Sequence, residues 1–446
     1  MTSARESRTG TGRLTGIVRA LRHRNFRLFT SGQSISLIGT WMQQVAVAWL
    51  VYRLTQSPLM LGVVGFVAHG PGFFIAPFAG VLADRVSKRR IVIATQVVMM
   101  IQALVLGALI LSDHVTIAWI VVLMAVLGAA SGFDIPTRQA FLIEMVDDRR
   151  DLPNAIALNS SIFNAARLVG PAIAGFAIAA VGEGWVIMLN GASYIFVLAA
   201  LLAMDVPARQ GGPRHGAMLR HLRDGVRYTF GFQPIRAVLL LVATVSLVAV
   251  PFTVLLPVMV SDVFGGGPRT LGLLMAATGL GALSGALFLA SRNSVRGLGR
   301  IIVYAAITFG SALVLFAFAP SLVLAVPLLA LAGFGMMTQM ASSNTVLQTL
   351  VDDDKRGRVM SFYTMAFIGT APLGSLLAGA IAERIGAPAT IALGGGGAVL
   401  AGLVFSRRLP ALRRLVHPIY HRLGIIPEVA RGIQAATHQA TPVTDD

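Results

Sequence analysis

The chain has 446 residues, of which 55% are hydrophobic and 12% charged, and its formal net charge is +17. A water-soluble domain typically carries about 25% charged residues, so this composition excludes one with an ordinary surface. There is no cysteine, which removes disulfides, thiolate metal sites and cysteine catalysis.

The segment 1–25 is rich in arginine and lacks the apolar core of a cleavable signal, so it reads as a cytoplasmic lead-in. Twelve apolar segments of membrane-spanning length follow, at 26–52, 58–82, 91–111, 117–142, 153–181, 185–204, 235–261, 269–291, 301–319, 321–350, 357–382 and 387–406. The basic residues sort with these spans. Of the 36 Lys and Arg, only Arg53, Arg269 and Arg384 fall on one side and only Arg167 deep within a span; the rest lie on or near the other side. Such an excess marks cytoplasmic loops. The reading is a multi-pass protein of a bacterial inner membrane with both termini in the cytoplasm. The same distribution argues against a nucleic-acid partner, because the charge sits in short loops where it meets lipid headgroups. The stretch 205–234 reads as a cytoplasmic linker between bundles at 26–204 and 235–406. The tail, 407–446, opens with the basic, leucine-rich pattern of a surface helix.

The two halves repeat one another. Phe141-Leu-Ile-Glu-Met-Val-Asp147-Asp148 is echoed by Val346-Leu-Gln-Thr-Leu-Val-Asp352-Asp353, and Gly170-Pro171-Ala-Ile-Ala-Gly175 by Gly374-Ser-Leu-Leu-Ala-Gly379. With an even number of spans in each half, the repeats share one orientation.

The loop after the second span places Gly80, Asp84, Arg85, Lys88, Arg89 and Arg90 in the order GVLADRVSKRR. This resembles the GxLaDRxGRR signature of the major facilitator superfamily, with Ser87 where the signature has glycine. A parallel repeat is also the relation between the halves of those transporters. Arg167-Leu-Val-Gly170-Pro171 and Gly175 resemble the antiporter signature of exporters in that superfamily. The run from Arg24 to Gly39 and the run from Gly357 to Ser361 are similar to the enterobactin-exporter-like and macrolide-efflux branch. The resemblance implies an all-α membrane fold of twelve helices in two pseudo-symmetric six-helix bundles. It also implies a conformational latch at the 80–90 loop, and export of an amphipathic small molecule, drug or siderophore in exchange for protons. It implies no cofactor, no metal and no enzymatic step; the partners are the substrate, protons and lipids, with the chain acting as a monomer. An importer, a lysophospholipid transporter and a non-transporting sensor or scaffold are the alternatives.

Ionisable groups at membrane depth are functional candidates. Asp134 and Arg138 lie four apart, on one face of the fourth span. Arg167 lies roughly 20 Å inside the fifth, at the helical rise. Three readings of this set stay open: a structural ion-pair cluster, Asp134 as the group that exchanges protons, or Arg167 as the holder of a substrate anion. His69 is a candidate proton relay, and the Gly70-Pro71-Gly72 after it predicts a helix break. Gln43, Asp134, Gln339 and Asn344 are expected to face a central cavity, and Asn164 is a further hydrogen-bonding candidate. Gly170, Pro171 and Gly175 are expected to serve helix packing. The tetraglycine Gly394–Gly397 has no role on this reading.

Overall fold

The computed structural model describes residues 19–205, 227–292 and 294–422; the surroundings of side chains 76, 77, 80, 81, 83, 84, 353, 354, 421 and 422 lie outside that description. Most of the 205–234 linker and the tail from 423 onward also lie outside it. The first half comprises α1 (Arg24–Thr55), α2 (Pro58–Arg85), α3 (Lys88–Leu111), α4 (Ile117–Leu142) and α5 (Leu152–Ala203). In the second are α6 (Gln233–Val248), α7 (Phe252–Val258), α8 (Pro268–Ala290), α9 (Leu298–Ala317), α10 (Leu322–Leu350), α11 (Asp353–Thr364), α12 (Thr370–Ile385) and α13 (Ala387–Arg422).

Among the described residues eleven helical stretches are long and apolar enough to cross a membrane. The longest, α5, has 52 residues and would run about 78 Å if straight, more than twice a hydrocarbon core. It turns at Gly182, whose φ of 83° and ψ of 167° suit glycine alone. The turn makes α5 two spans and brings the total to the expected twelve.

Proline shapes the second half. A π-helical turn, Met259–Val263, follows Pro257, and another, Met365–Gly369, precedes Pro372. Each proline removes one i→i−4 donor, and a widened turn is one way for a helix to accommodate the loss. The eleventh span is therefore α11 and α12 joined by a π-turn, whereas the seventh is α6 and α7 separated by the turn at Ala249–Pro251, with its π-turn continuing α7.

Three expectations about elements are corrected. The helix does not break at Gly70-Pro71-Gly72: α2 runs through to Arg85, and Gly72 lies against Gly128 and Gly132 of α4. The basic stretch after 406 is no separate surface helix through Arg422, because α13 carries straight on and buries Leu412. The tetraglycine gains a role in packing. A Cβ at Gly394 would meet the Val248 carbonyl and one at Gly395 the Gly310 carbonyl, so this stretch lets α13 touch both α6 and α9.

Within the first half α1 packs on α5, α2 on α4, and α3 on both α4 and α5; within the second α10 packs on α8 and α9, and α13 on α9. The halves touch along two seams, α2 against α12 and α5 against α8. The end carrying Arg24, Arg85, Lys88, Arg149 and Arg358 is called here the basic end, and the other the far end.

Candidate functional site

At the basic end, α3 begins with Lys88, whose Nζ lies 2.7 Å from Glu144 Oε1 just beyond α4. Arg89 donates from Nε to the Leu201 carbonyl at 2.8 Å and from its terminal nitrogen to Leu202 at 3.0 Å, at the C-terminal end of α5. A guanidinium there supplies donors for orphan carbonyls and meets the negative end of the helix dipole. Arg85 and Arg90 are exposed. Asp84 and Gly80 belong to α2, but their side-chain surroundings are outside the described residues.

A second set of basic-end contacts was not foreseen. The 3-10 turn Arg19–Arg22 is clamped onto the loop between α4 and α5: Arg19 and Arg22 both pair with Asp151, Arg22 at 2.6 Å. His23 bridges Asp151 at 2.9 Å and Asp147 at 3.2 Å, and the Ala20 N–H donates to Asn154 at 2.8 Å. Asp148 accepts the Arg150 backbone N–H at 2.9 Å, and that bond, with the Arg150 guanidinium, holds its carboxyl below the usual carboxylate range. The double aspartate of the internal repeat was the visible signal; its partners lie more than a hundred positions upstream.

Deeper in, Asp134 does not face a cavity as expected but is 2% exposed, turned toward α3. Its Oδ2 meets Arg138 Nε at 3.2 Å, and its Oδ1 accepts from Thr95 Oγ1 at 3.0 Å and Gln96 Nε2 at 2.9 Å, both on α3. Gln96 Oε1 and Thr137 Oγ1 beside this cluster are buried without a partner. The expected pairing of Asp134 and Arg138 is present, but Arg167 is not among the partners found for Asp134.

Gln43 does not face a cavity. It donates to Gln102 at 3.1 Å and accepts from Asn190, tying α1 to α3 and to the sixth span. The exposed amide on α1 is its neighbour Gln44. Gln339 is buried too, with Ser343 Oγ at 3.5 Å on its own helix. The reason in both cases is register: one residue along a helix turns a side chain by about 100°. Asn344 is half-buried and accepts from Gln348, Asn164 bonds back to the Ser160 carbonyl at 2.9 Å, and His69 Nδ1 bonds to the Gly65 carbonyl at 3.1 Å on its own helix.

Arg167 stands apart. Its guanidinium carbon lies 5.8 Å from the centroid of the Trp41 ring, over its face. Trp41 is in turn T-shaped against Phe163, one helical turn from Arg167, with centroids 5.8 Å apart. Gly170 makes this possible: a Cβ there would meet the Trp41 Cβ and the Ile38 carbonyl, so α1 and α5 approach at backbone distance. Pro171 denies the Arg167 carbonyl its helical donor.

The seams are lined by small residues. Gly175 faces Gly272, and a Cβ on Gly175 would reach the Pro268 carbonyl; Gly62 faces Gly379 in the same way, a Cβ on Gly379 reaching the Pro58 carbonyl. The two pairs are related by the internal repeat. At the far end Tyr52 donates to Asp262 at 2.5 Å, and Glu383 accepts from Ser57 Oγ at 2.8 Å and the Leu59 N–H at 3.0 Å, so each bond crosses between halves. These contacts reach inward to Leu168 against Gly279 and Phe73 against Gly369. Nearer the basic end, Ser160 and Ser161 of α5 and Gln348 of α10 are exposed, and Thr345, Gln348, Thr349 and Arg356 border a cavity of about 380 Å³. The contacts between the halves, from Tyr52–Asp262 inward to Leu168–Gly279 and Phe73–Gly369, thus lie at the far end and at mid-span.

Comparison with known proteins agrees with this architecture. The chain is 25% identical over 393 residues to the staphyloferrin A transporter of Staphylococcus aureus, covering 85% of this chain and 95% of that one. It is 27% identical over 386 residues to the multidrug efflux pump Tap of Mycolicibacterium fortuitum, covering 84% and 93%. Against macrolide efflux protein A of Streptococcus pyogenes it is 22% identical over 371 residues, covering 81% and 90%. Among solved structures, the fold matches a bacterial homologue of the lysosomal transporter Spinster, inward-facing and unoccupied, with a TM-score of 0.64 at 16% identity, covering 91% of this chain and 99% of that one. It also matches a POT family transporter in complex with 5-aminolevulinic acid, with a TM-score of 0.70 at 10% identity, covering 87% and 96%. The transmembrane secretion effector family model matches residues 15–418. Two six-helix halves meeting along glycine seams, and a family match over nearly the whole chain, make this a member of the transmembrane secretion effectors, transporters of the major facilitator superfamily.

Proposed function

We propose that the chain is a proton-coupled exporter of an amphipathic small molecule, drug or siderophore, working as a monomer by alternating access in a bacterial inner membrane. The basic end is the cytoplasmic one, and both termini lie there. The units that rock are the bundles 26–204 and 235–406. The observation that carries the reading is that, among the described residues, the hydrogen bonds between the halves sit at the far end, through Tyr52, Ser57, Asp262 and Glu383, while polar side chains of both halves, Ser160, Ser161 and Gln348, are exposed nearer the basic end. That is the state in which an exporter loads. The names of two of the relatives, a multidrug efflux pump and a macrolide efflux protein, support outward movement.

Asp134 is the proton-exchanging group in this reading. Its neighbour Gln96 can serve both protonation states. The amide nitrogen donates to the charged carboxylate, and a flip of the amide would present the unpartnered Oε1 to a carboxylic O–H. Protonation also frees Arg138, so it changes the balance between the two conformations, which coupling requires.

The test is efflux of a panel of amphipathic dyes, macrolides and siderophores from vesicles with and without an imposed pH gradient. Gradient-dependent movement that Asp134→Asn abolishes, with substrate binding kept, is the expected result. Unchanged gradient dependence in that variant would remove Asp134 from the mechanism. Silence across the whole panel in the unmodified protein would count against export.

A further inference from the structure

A guanidinium in the middle of a bilayer ordinarily finds a carboxylate, because its burial unpaired costs several kcal/mol. Asp134, the carboxylate of the neighbouring cluster, is already met by Arg138, Thr95 and Gln96. No ion pair or hydrogen bond to Arg167 is found among the described residues. What Arg167 does have is the face of Trp41. A stacked guanidinium uses its flat face on the indole and keeps its N–H donors at the edge, where a carboxylate is recognised by two parallel bonds. Arg167 is half-buried, and those edge donors meet no acceptor among the described residues.

The surroundings narrow the ligand further. Phe163, one turn nearer the basic end, is 43% exposed and meets Trp41 edge to face, extending the aromatic surface toward that end. Next to Arg167, Leu168 contacts Gly279 of α8, so the site lies beside the seam between the halves. Arg167 is fifteen residues from Leu152, about 22 Å along the helix, and as far from Gly182 at the other end. This is the middle of a hydrocarbon core about 30 Å thick, out of reach for the phosphate of a lipid whose headgroup stays at the interface.

We propose that Arg167, Trp41 and Phe163 form a binding subsite for a planar apolar ligand carrying a carboxylate, the guanidinium taking the carboxylate and the two rings taking the flat apolar body. The subsite assigns a chemical class to the cargo, and it rests on the transport reading only in calling that ligand a substrate. Trp41 then acts on both partners, as the platform that orients the guanidinium and as part of the aromatic surface. Its neighbour Gln44 on α1 is exposed and is a further polar group within the proposed subsite.

The experiment uses the full chain in nanodiscs of zwitterionic lipid, without any gradient, titrated with 2-naphthoate, its neutral analogue 2-naphthamide and the cationic 2-naphthylmethylamine. Binding is read calorimetrically and by quenching of Trp41 fluorescence, the Trp41→Phe variant identifying that residue's share of the signal. The expected order is naphthoate first, with the amide at least tenfold weaker and the amine weaker still. Arg167→Gln should erase the preference for naphthoate over naphthamide, while Arg167→Lys keeps part of it. The lysine variant and the ligand series on unmodified protein preserve the test if the glutamine variant fails to fold.

Equal affinity for the acid and the amide, or a preference that survives Arg167→Gln, would overturn the subsite. So would absence of naphthoate binding together with protection of Trp41 by added phosphatidylglycerol, since the anion would then be a lipid headgroup. Because no gradient is involved, naphthoate binding without any gradient-driven flux would sink the exporter reading and leave the subsite standing. Gradient-driven flux of compounds indifferent to Arg167 would do the reverse.

Discussion

At the residue scale, Arg138 near the basic end of α4 and Arg167 in the middle of α5 are accommodated in opposite ways. Arg138 is neutralised by Asp134 four positions away, within a cage that also draws on Thr95 and Gln96. Breaking one partner of a buried pair costs about 3–5 kcal/mol, whereas replacing both by neutral groups costs far less. Arg138→Gln should therefore lower the thermal unfolding temperature in detergent by more than the double change Asp134→Asn with Arg138→Gln. Equal destabilisation by both would mean that the pair is solvated and structurally idle. The pairing was legible in the sequence, because i and i+4 share a helix face. The α3 donors were not, since nothing in the local pattern tells which neighbouring helix presents Thr95. Gln43 and Gln44 make the same point: two adjacent amides read alike, and only the packing of α1 against α3 and the sixth span buries the first and leaves the second exposed.

At the scale of elements, hydropathy gave the positions of the spans to within a few residues, and α4 matches its expected limits. What escaped were features set by contacts between elements: the continuation of α13 past the membrane-length segment, and the seating of the Arg19–Arg22 turn on the α4–α5 loop. That turn makes a specific expectation. Asp151 gathers Arg19, Arg22 and His23, so Asp151→Asn should loosen the lead-in and raise the rate at which trypsin cleaves at Arg19 and Arg22 in purified protein. Cleavage as slow as in the unmodified chain would show the clamp to be redundant. The Asp148 carboxyl contributes to this loop with a lowered pKa, so its contribution is complete above the ordinary carboxylate value of about 3.9 and is lost as pH falls through the lower folded value. On account of that group alone, protection from trypsin should not change between pH 6 and pH 8.

At the scale of the whole molecule, the internal repeat announced two like-oriented halves, but not where they would touch. The seams depend on which glycines of α2, α5, α8 and α12 face one another, and a chain with 47 glycines offers too many choices. The absence of cysteine gives a direct experiment. Ser57 and Glu383 are hydrogen-bonded across the far end, so the pair Ser57→Cys with Glu383→Cys should cross-link on oxidation, stop transport, and recover on reduction. Transport continuing at full rate in the cross-linked protein would contradict rocking of the halves. Gly272→Leu should act oppositely, wedging the α5–α8 seam, and should reduce the yield of that same cross-link severalfold.

The glycine seams also bear on how quickly such a machine can turn over. Interlocked side chains must be withdrawn from their sockets before two surfaces separate, and buried polar partners must find replacements in an oily medium. Between Gly62 and Gly379, and between Gly175 and Gly272, backbone lies against backbone with neither obstacle present. In the proposed cycle these surfaces act as smooth bearings with polar bolts at one rim, and the barrier to opening is assigned to the bolts described there, Tyr52–Asp262 and Glu383 with its two donors. A change of speed, without loss of the fold, is accordingly to be sought at those bolts and not along the bearing.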